Sequence, residues 1–181
     1  AGLHIEDQIF PKRCGHLDGK ALVSTDHMAE KIQAAVSAKT DKDFIVCART
    51  DAYAVDGLSS AIERGNVYRE SGADMIFPEG LTSAEDFDVF AQECPGLLLA
   101  NMTEFGKTPM LHIDQFADLG YDLVIYPVTM QRVAMSAVTN ALAQLKSEGS
   151  AGGLLDSMQT RAELYDLLGY TPGEPWPFPG P

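Results

Sequence analysis

Cys14 stands among Lys12, Arg13 and His16 in the run Lys12-Arg13-Cys14-Gly15-His16, a thiol surrounded by potential cations. Positive neighbours favour the thiolate, so such a thiol releases its proton below the reference pKa of about 8.5 and suits proton-transfer chemistry. Lys12 and Arg13 read as its supporting cations, and His16 as a group that touches an anionic ligand or tunes the thiol. Gly15 lets the backbone come close to a ligand where a side chain would obstruct it. Upstream, residues 2–8 form an extended run that reaches Glu6 and Asp7. A carboxylate at a strand end either pairs with a cation such as Lys12 or holds a hard metal ion through oxygen. Arg49 ends another apolar run, where an unpaired charge is costly and a guanidinium fork matches a carboxylate. Glu79 and Asn101 are, on the residues alone, strand-end polar groups. Cys47, inside an apolar run, and Cys94, before Pro95, read as packing cysteines, and His4 as a structural histidine.

Residues 2–6, 44–48, 73–77, 97–100 and 123–126 are apolar runs of strand length. Between them lie helical patterns: one opened by Ser24 with Met28, Ile32, Ala35 and Val36 on one face, and one after Gly57 with Leu58, Ile62 and Val67. A third is initiated by Ser83, a fourth lies near 113–119, and a long fifth runs over about 129–148. Parallel strands need helical crossovers, and burial on both faces gives unbroken apolar strands, so the alternation predicts an α/β fold with a parallel sheet. The polar residues fall at the carboxyl ends of the strands, the edge where such sheets bind ligands. Without a glycine-rich phosphate loop, part of a barrel fits better than a dinucleotide-binding sheet. Residues 1–150 are therefore expected to form a partial (β/α) barrel catalytic domain. Residues 151–170 carry a further helix over about 155–168, with Leu155, Met158, Leu164 and Leu168 as its apolar residues. The tail, 171–181, holds five of the ten prolines and is expected to be extended or disordered, with Trp176 and Phe178 available to dock on a neighbour.

A length of 181 residues with 45% hydrophobic and 22% charged side chains describes a one-domain globular protein. The net charge of −13 speaks against general binding to nucleic acid or a membrane surface, which needs a basic face. An anionic ligand must then be met by local cations. Three cysteines without paired spacing make neither a disulfide framework nor a zinc site, and they fit a reducing compartment. No run approaches the roughly 20 apolar residues of a membrane span.

The runs HIEDQ and PKRCGHLDGK resemble the signature region of the isocitrate lyase and phosphoenolpyruvate mutase superfamily, most of all its methylisocitrate lyases. The resemblance continues through Cys47-Ala48-Arg49-Thr50-Asp51, Phe77-Pro78-Glu79, LANMTEFG at 99–106, Tyr126-Pro127-Val128 and Met158-Gln159-Thr160-Arg161, so that it covers all but about the last dozen residues. It implies a (β/α)8 TIM-type barrel of which this chain carries the last five β/α units and a C-terminal helix, as a fragment without the N-terminal part. It also implies a carbon–carbon lyase that splits 2-methylisocitrate into pyruvate and succinate in propionate catabolism (the methylcitrate cycle), with Cys14 as the catalytic proton donor. Substrate contacts then fall to Cys14, Gly15, His16 and Arg49, to Glu79, Asn101, Met102 and Thr103, and to Arg132 and Arg161. Glu6 corresponds to an outer-sphere carboxylate of a magnesium ion, which manganese could replace, while the closer metal ligands are expected on strands preceding this sequence. The resemblance further implies a homotetramer that exchanges the late helix between subunits, located in the cytoplasm or a mitochondrial matrix. Isocitrate lyase differs chiefly by pocket space for one methyl group, worth about 1–3 kcal/mol, and stays an alternative together with oxaloacetate hydrolase. A non-catalytic assembly or binding subunit is the alternative from another class.

Overall fold

The structure is a computed structural model and describes residues 1–175; Trp176 and Phe178, with the rest of 176–181, lie outside them. Two compact units make up the chain, one spanning Ala1–Thr129 and the other beginning at Met130.

The first unit holds β1 (Gly2–Glu6), β2 (Ile45–Thr50), β3 (Met75–Pro78), β4 (Leu99–Asn101) and β5 (Leu123–Ile125). β1 pairs with β2, β2 with β3 and β4 with β5, all parallel. A parallel bridge between Ile76 and Leu98 joins the two sets. Spatial order therefore follows chain order with no reversal. A doubly wound nucleotide-binding sheet requires a switch point, whereas a barrel wall does not.

Alternation along the strands sorts the side chains onto two faces. Ile5, Ala48, Ile76, Ala100 and Val124 pack with the helices, joined by Met28 and Ile32 from α1 (Thr25–Ser37), Ala61, Ile62 and Tyr68 from α3 (Leu58–Glu70), and Phe87 and Phe90 from α4 (Ala84–Glu93). The other face presents Ile45, Cys47, Met75, Phe77, Leu99 and Ile125. The same alternation carries Glu6, Arg49, Glu79 and Asn101 onto this second face at its carboxyl end. In register, Glu6 lies opposite Arg49, and Arg49 opposite Phe77.

Helix starts follow capping chemistry. Ser24 Oγ accepts the His27 N–H at 3.2 Å and Ser83 Oγ the Asp86 N–H at 3.1 Å, each cap contributing about 1 kcal/mol. A short α2 (Tyr53–Asp56) precedes α3, and α5 (Ile113–Asp118) precedes β5. Phe87 meets Phe116 and Tyr121 edge-on, both with centroids 5.2 Å apart, which anchors α4 and α5 against each other.

The second unit contains the long α6, which runs from Thr129 to Glu148, a 3-10 turn over Gly152–Ser157, and α7 (Arg161–Leu168). The single late helix expected over 155–168 is thus two elements. Thr160 and Glu163 form a capping box, the Thr160 N–H donating to Glu163 Oε2 at 2.7 Å and the Glu163 N–H to Thr160 Oγ1 at 3.3 Å, so a new helix begins there. The division near 130, rather than at 150, has a packing cause. The 3-10 turn folds back on α6, where Leu154, Ser157 and Met158 face Val138, Ala141 and Gln144 across a groove, and Leu154 is buried. No helix among the described residues is long and apolar enough to cross a membrane.

Candidate active site

Arg49 and Glu79 are the centre of the strand-end cluster. Arg49 grips Asp51 with two hydrogen bonds, Nε to Oδ2 and Nη2 to Oδ1, both 3.0 Å. Its Nη1 lies 3.3 Å from Glu79 Oε2, its Nε 3.4 Å from Glu6 Oε2, and its carbon sits 5.2 Å from the centre of the Phe77 ring. Burial alone would lower the Arg49 pKa, but Asp51, Glu79 and Glu6 outweigh it and hold the pKa above its ordinary value. The two-point grip that the sequence suggested for a ligand carboxylate is therefore made with Asp51. Asp51 has the same parity as Arg49 along the strand direction, a period-two signal that the sequence reading left unused.

Glu79 is 1% exposed and follows β3, where its N–H donates to the Thr50 carbonyl at 3.0 Å. Asn101 Nδ2 donates to both of its carboxylate oxygens, at 3.3 and 3.2 Å, and His16 Nε2 lies 2.9 Å from Oε1. The ring N–H of His16 meets Oε1 off-line, so this is a close polar approach rather than a well-aligned hydrogen bond. Burial would raise the Glu79 pKa, yet His16, Arg49 and Asn101 together bring it below the usual value. His16 Nδ1 accepts the backbone N–H of Lys107 at 3.1 Å, which assigns the proton of a neutral ring to Nε2.

The thiol loop lies directly on this cluster. A Cβ on Gly15 would fall 2.2 Å from Glu79 Cγ and 2.6 Å from Arg49 Nη2, so only glycine allows this approach. Cys14 is exposed, and its carbonyl accepts the Leu17 N–H at 2.9 Å. The cations beside it in sequence have partners of their own: Lys12 Nζ is 3.2 Å from Glu6 Oε1, and Arg13 Nη1 donates to the Asp18 carbonyl at 3.2 Å. Cys47 and Cys94 are buried, and burial pushes the Cys47 thiol up to about 12. Lys20, which the sequence reading passed over, donates its ammonium to the Gly15 carbonyl. Its signal was faint, a lysine six positions beyond the thiol in a loop already rich in cations.

Met102 does not join the cluster through its side chain. It is fully buried among the helix-facing residues, and its sulfur accepts the Leu111 N–H at 3.3 Å. Strand parity explains this, since Asn101 and Thr103 alternate with it. Thr103 is 8% exposed. Asp7, next to Glu6, faces the helices and is fully buried, accepting from Thr50 Oγ1 and Tyr68 OH at 2.8 Å each and from the Asp51 N–H at 2.9 Å. Its role is to fasten strand ends. Arg132, in the first turn of α6, and Arg161, the first residue of α7, are exposed side chains of the second unit.

Two buried oxygens of the cluster, Glu6 Oε2 and Asn101 Oδ1, have no hydrogen-bond partner among the described residues. A metal ion is one way to satisfy such an oxygen. Yet Glu6 faces Lys12 and Arg49, and among the described residues no group of three or more His, Cys, Asp or Glu is placed to hold a metal. One carboxylate does not meet the near-octahedral oxygen shell of magnesium. The described residues do not make a metal centre by themselves.

A sequential parallel β/α wall with its charged groups at the carboxyl strand ends is a scaffold of the TIM-barrel type. Residues 1–146 match the phosphoenolpyruvate phosphomutase family, and the chain belongs to that family. Among curated relatives, probable 2-methylisocitrate lyase 1 of Corynebacterium glutamicum is 56% identical over 171 residues, 94% of this chain and 56% of the relative. The solved 2,3-dimethylmalate lyase, a member of the phosphoenolpyruvate mutase/isocitrate lyase superfamily, superposes with a TM-score of 0.85 at 38% identity, over 93% of this chain and 56% of its own. Phosphonopyruvate hydrolase, solved with oxalate and magnesium, superposes with a TM-score of 0.79 at 29% identity, over 93% and 58%. The chain spans about half the length of the curated relatives it matches.

Proposed function

We propose that the protein to which this chain belongs cleaves the C–C bond of 2-methylisocitrate to give pyruvate and succinate. The observation that carries the reading is the seating of the Cys14-Gly15-His16 loop directly on Arg49 and Glu79, an exposed thiol beside a strand-end cluster of one guanidinium and several carboxylates. Identity of 56% to a probable 2-methylisocitrate lyase supports the substrate class.

In this reading a base takes the proton of the substrate hydroxyl, the oxygen forms the ketone of pyruvate, and the pair of electrons from the broken C–C bond passes to the succinate fragment. That fragment is a carbanion delocalised into its carboxylate. Cys14 gives its proton to the carbanion carbon, completing succinate and leaving a thiolate that is reprotonated before the next cycle. Arg49 offsets the charge that builds on the carboxylate, and the backbone at Gly15 and His16 lies close to the same place because no side chain intervenes. Asn101 Oδ1, buried and without a hydrogen-bond partner among the described residues, is available to a substrate hydroxyl or a protonated oxygen. Thr103, in the first unit, adds a further polar contact, and for Arg132 and Arg161 the support is their place in the matched sequence alone. The Met102 side chain is left out of these contacts because it is in the core. Glu6 would be the one carboxylate of this chain turned toward a magnesium ion, which would stabilise developing negative charge and whose other ligands are not among the described residues. A homotetramer with exchanged late helices and a cytoplasmic location complete the proposal.

Pyruvate release from 2-methylisocitrate by the protein expressed from its native gene tests it. Release of glyoxylate from isocitrate at equal or higher kcat/KM would overturn the substrate, and inertness toward both would overturn the activity.

A further inference from the structure

Lys20 closes the thiol loop from behind. Its ammonium donates to the Gly15 carbonyl, its side chain is part-buried, and Asp51, Glu79, Arg49 and Lys107 all lie near enough to act on its charge. Burial is the largest influence and pulls its pKa down, against the attraction of Asp51 and Glu79. Among the described residues the acceptor of the Lys20 ammonium is the Gly15 carbonyl, which ties this lysine to the loop backbone.

The consequence lies in the geometry of one peptide. A trans peptide points its C=O and N–H in opposite directions. With the Gly15 carbonyl fixed on Lys20, the His16 N–H must face the other way. Gly15 itself is wedged against Glu79 and Arg49, so the loop backbone cannot rotate as a whole without losing that seat. Lys107 braces the far side, with its N–H on His16 Nδ1 and its ammonium 2.6 Å from Asp18 Oδ1. Lys20 and Lys107 therefore hold the two halves of the loop, one through the peptide after Gly15 and the other through the imidazole.

We infer that Lys20 is a positioning residue that sets the Gly15–His16 peptide so that its N–H serves a carboxylate of a small di- or tricarboxylic acid beside Cys14. The assignment rests on the lyase reading above for its substrate class, but its structural half does not. Lys20 touches neither substrate nor thiol in this role.

The test uses Lys20→Met and Lys20→Arg in the protein expressed from its native gene, with two measurements. Hydrogen exchange of the Leu17 amide, bonded to the Cys14 carbonyl, reads loop order without any substrate, and exchange in Lys20→Met is expected to quicken by tenfold or more. In the same variant kcat/KM for 2-methylisocitrate is expected to fall at least tenfold, and Lys20→Arg, which keeps a cationic donor, to recover to within threefold of the parent. Unchanged exchange overturns the assignment whatever the kinetics show. Faster exchange with unchanged kcat/KM, or failure of Lys20→Arg to recover, makes Lys20 a merely structural lysine and also overturns it. An inactive parent whose exchange still responds to Lys20→Met removes the lyase reading and the carboxylate with it, a result separate from failure at Lys20. If Lys20→Met does not fold, shown by labelling of the buried Cys47 and Cys94, the arginine variant decides alone: kcat/KM reduced more than tenfold overturns the inference.

Discussion

Gly15→Ala is the sharpest perturbation the site offers. The added methyl would lie 2.2 Å from Glu79 Cγ, about 1.2 Å short of the 3.4 Å at which ordinary contact begins. Glu79 has little room to retreat, since Asn101, His16 and Arg49 hold its carboxylate, and Arg49 is itself held by Asp51. The loop is exposed on its outer side and lifts instead. Overpacking costs about 1–3 kcal/mol where nothing can move, so a lifting loop places the stability loss near the lower limit, about 1 kcal/mol. Catalysis suffers more, because a displacement of about 1 Å between a proton donor and its target costs on the order of a hundredfold. The expected result is a small shift of the urea midpoint with kcat/KM for pyruvate release reduced about a hundredfold. A variant within threefold of the parent would refute the claim that the seat of Gly15 on Glu79 and Arg49 sets the thiol's position.

Cys14→Ser is expected to keep the fold and substrate binding and to lose most turnover, because a hydroxyl is a far poorer acid than a thiol; near-normal kcat in a folded variant removes Cys14 from proton transfer. Arg49→Lys keeps the charge but not the fork that holds Asp51, so kcat/KM should fall tenfold or more, and parity with the parent would show that the fork is dispensable. Glu79 has a lowered pKa in the folded chain, so its ionisation adds stability above the unfolded carboxyl value of about 4.3 and that contribution is lost as pH falls through the folded value. Urea midpoints measured from pH 5.5 down to 3 should decline less steeply in Glu79→Gln than in the parent, and equal slopes would contradict the ion-pair account.

The strands and the crossover helices were legible because burial on both faces leaves unbroken apolar runs, and Ser24 and Ser83 mark helix starts by a local rule. Arg49, Glu79 and Asn101 were visible as polar residues closing those runs. What they bind was not, since Asp51 as the partner of Arg49 follows from strand parity applied one step further, and Lys20 from a loop path that no periodicity encodes. Met102 was carried into the site by its neighbours in a matched run, although parity turns its side chain into the core. The division of the late helix was written in Thr160 and Glu163, a capping box hidden by the apolar residues on either side. Sequence proximity also overstated the thiol's company, for Lys12 and Arg13 reach Glu6 and the Asp18 carbonyl.

The buried Asp7 carboxylate has a consequence for synthesis. Its bonds to Thr50 and Tyr68 reach 43 and 61 positions along the chain. On a ribosome β1 is made before β2 and α3, so the Asp7 carboxylate waits for Thr50 and Asp51 until β2 has left the exit tunnel and for Tyr68 until α3 has. Closing loops of that length costs entropy before any bond repays it. Glu6, one residue before Asp7, and Arg49, one before Thr50, inherit the same delay. Nascent chains stalled short of residue 68 would carry the thiol motif complete in sequence and still have no strand-end cluster for it to rest on.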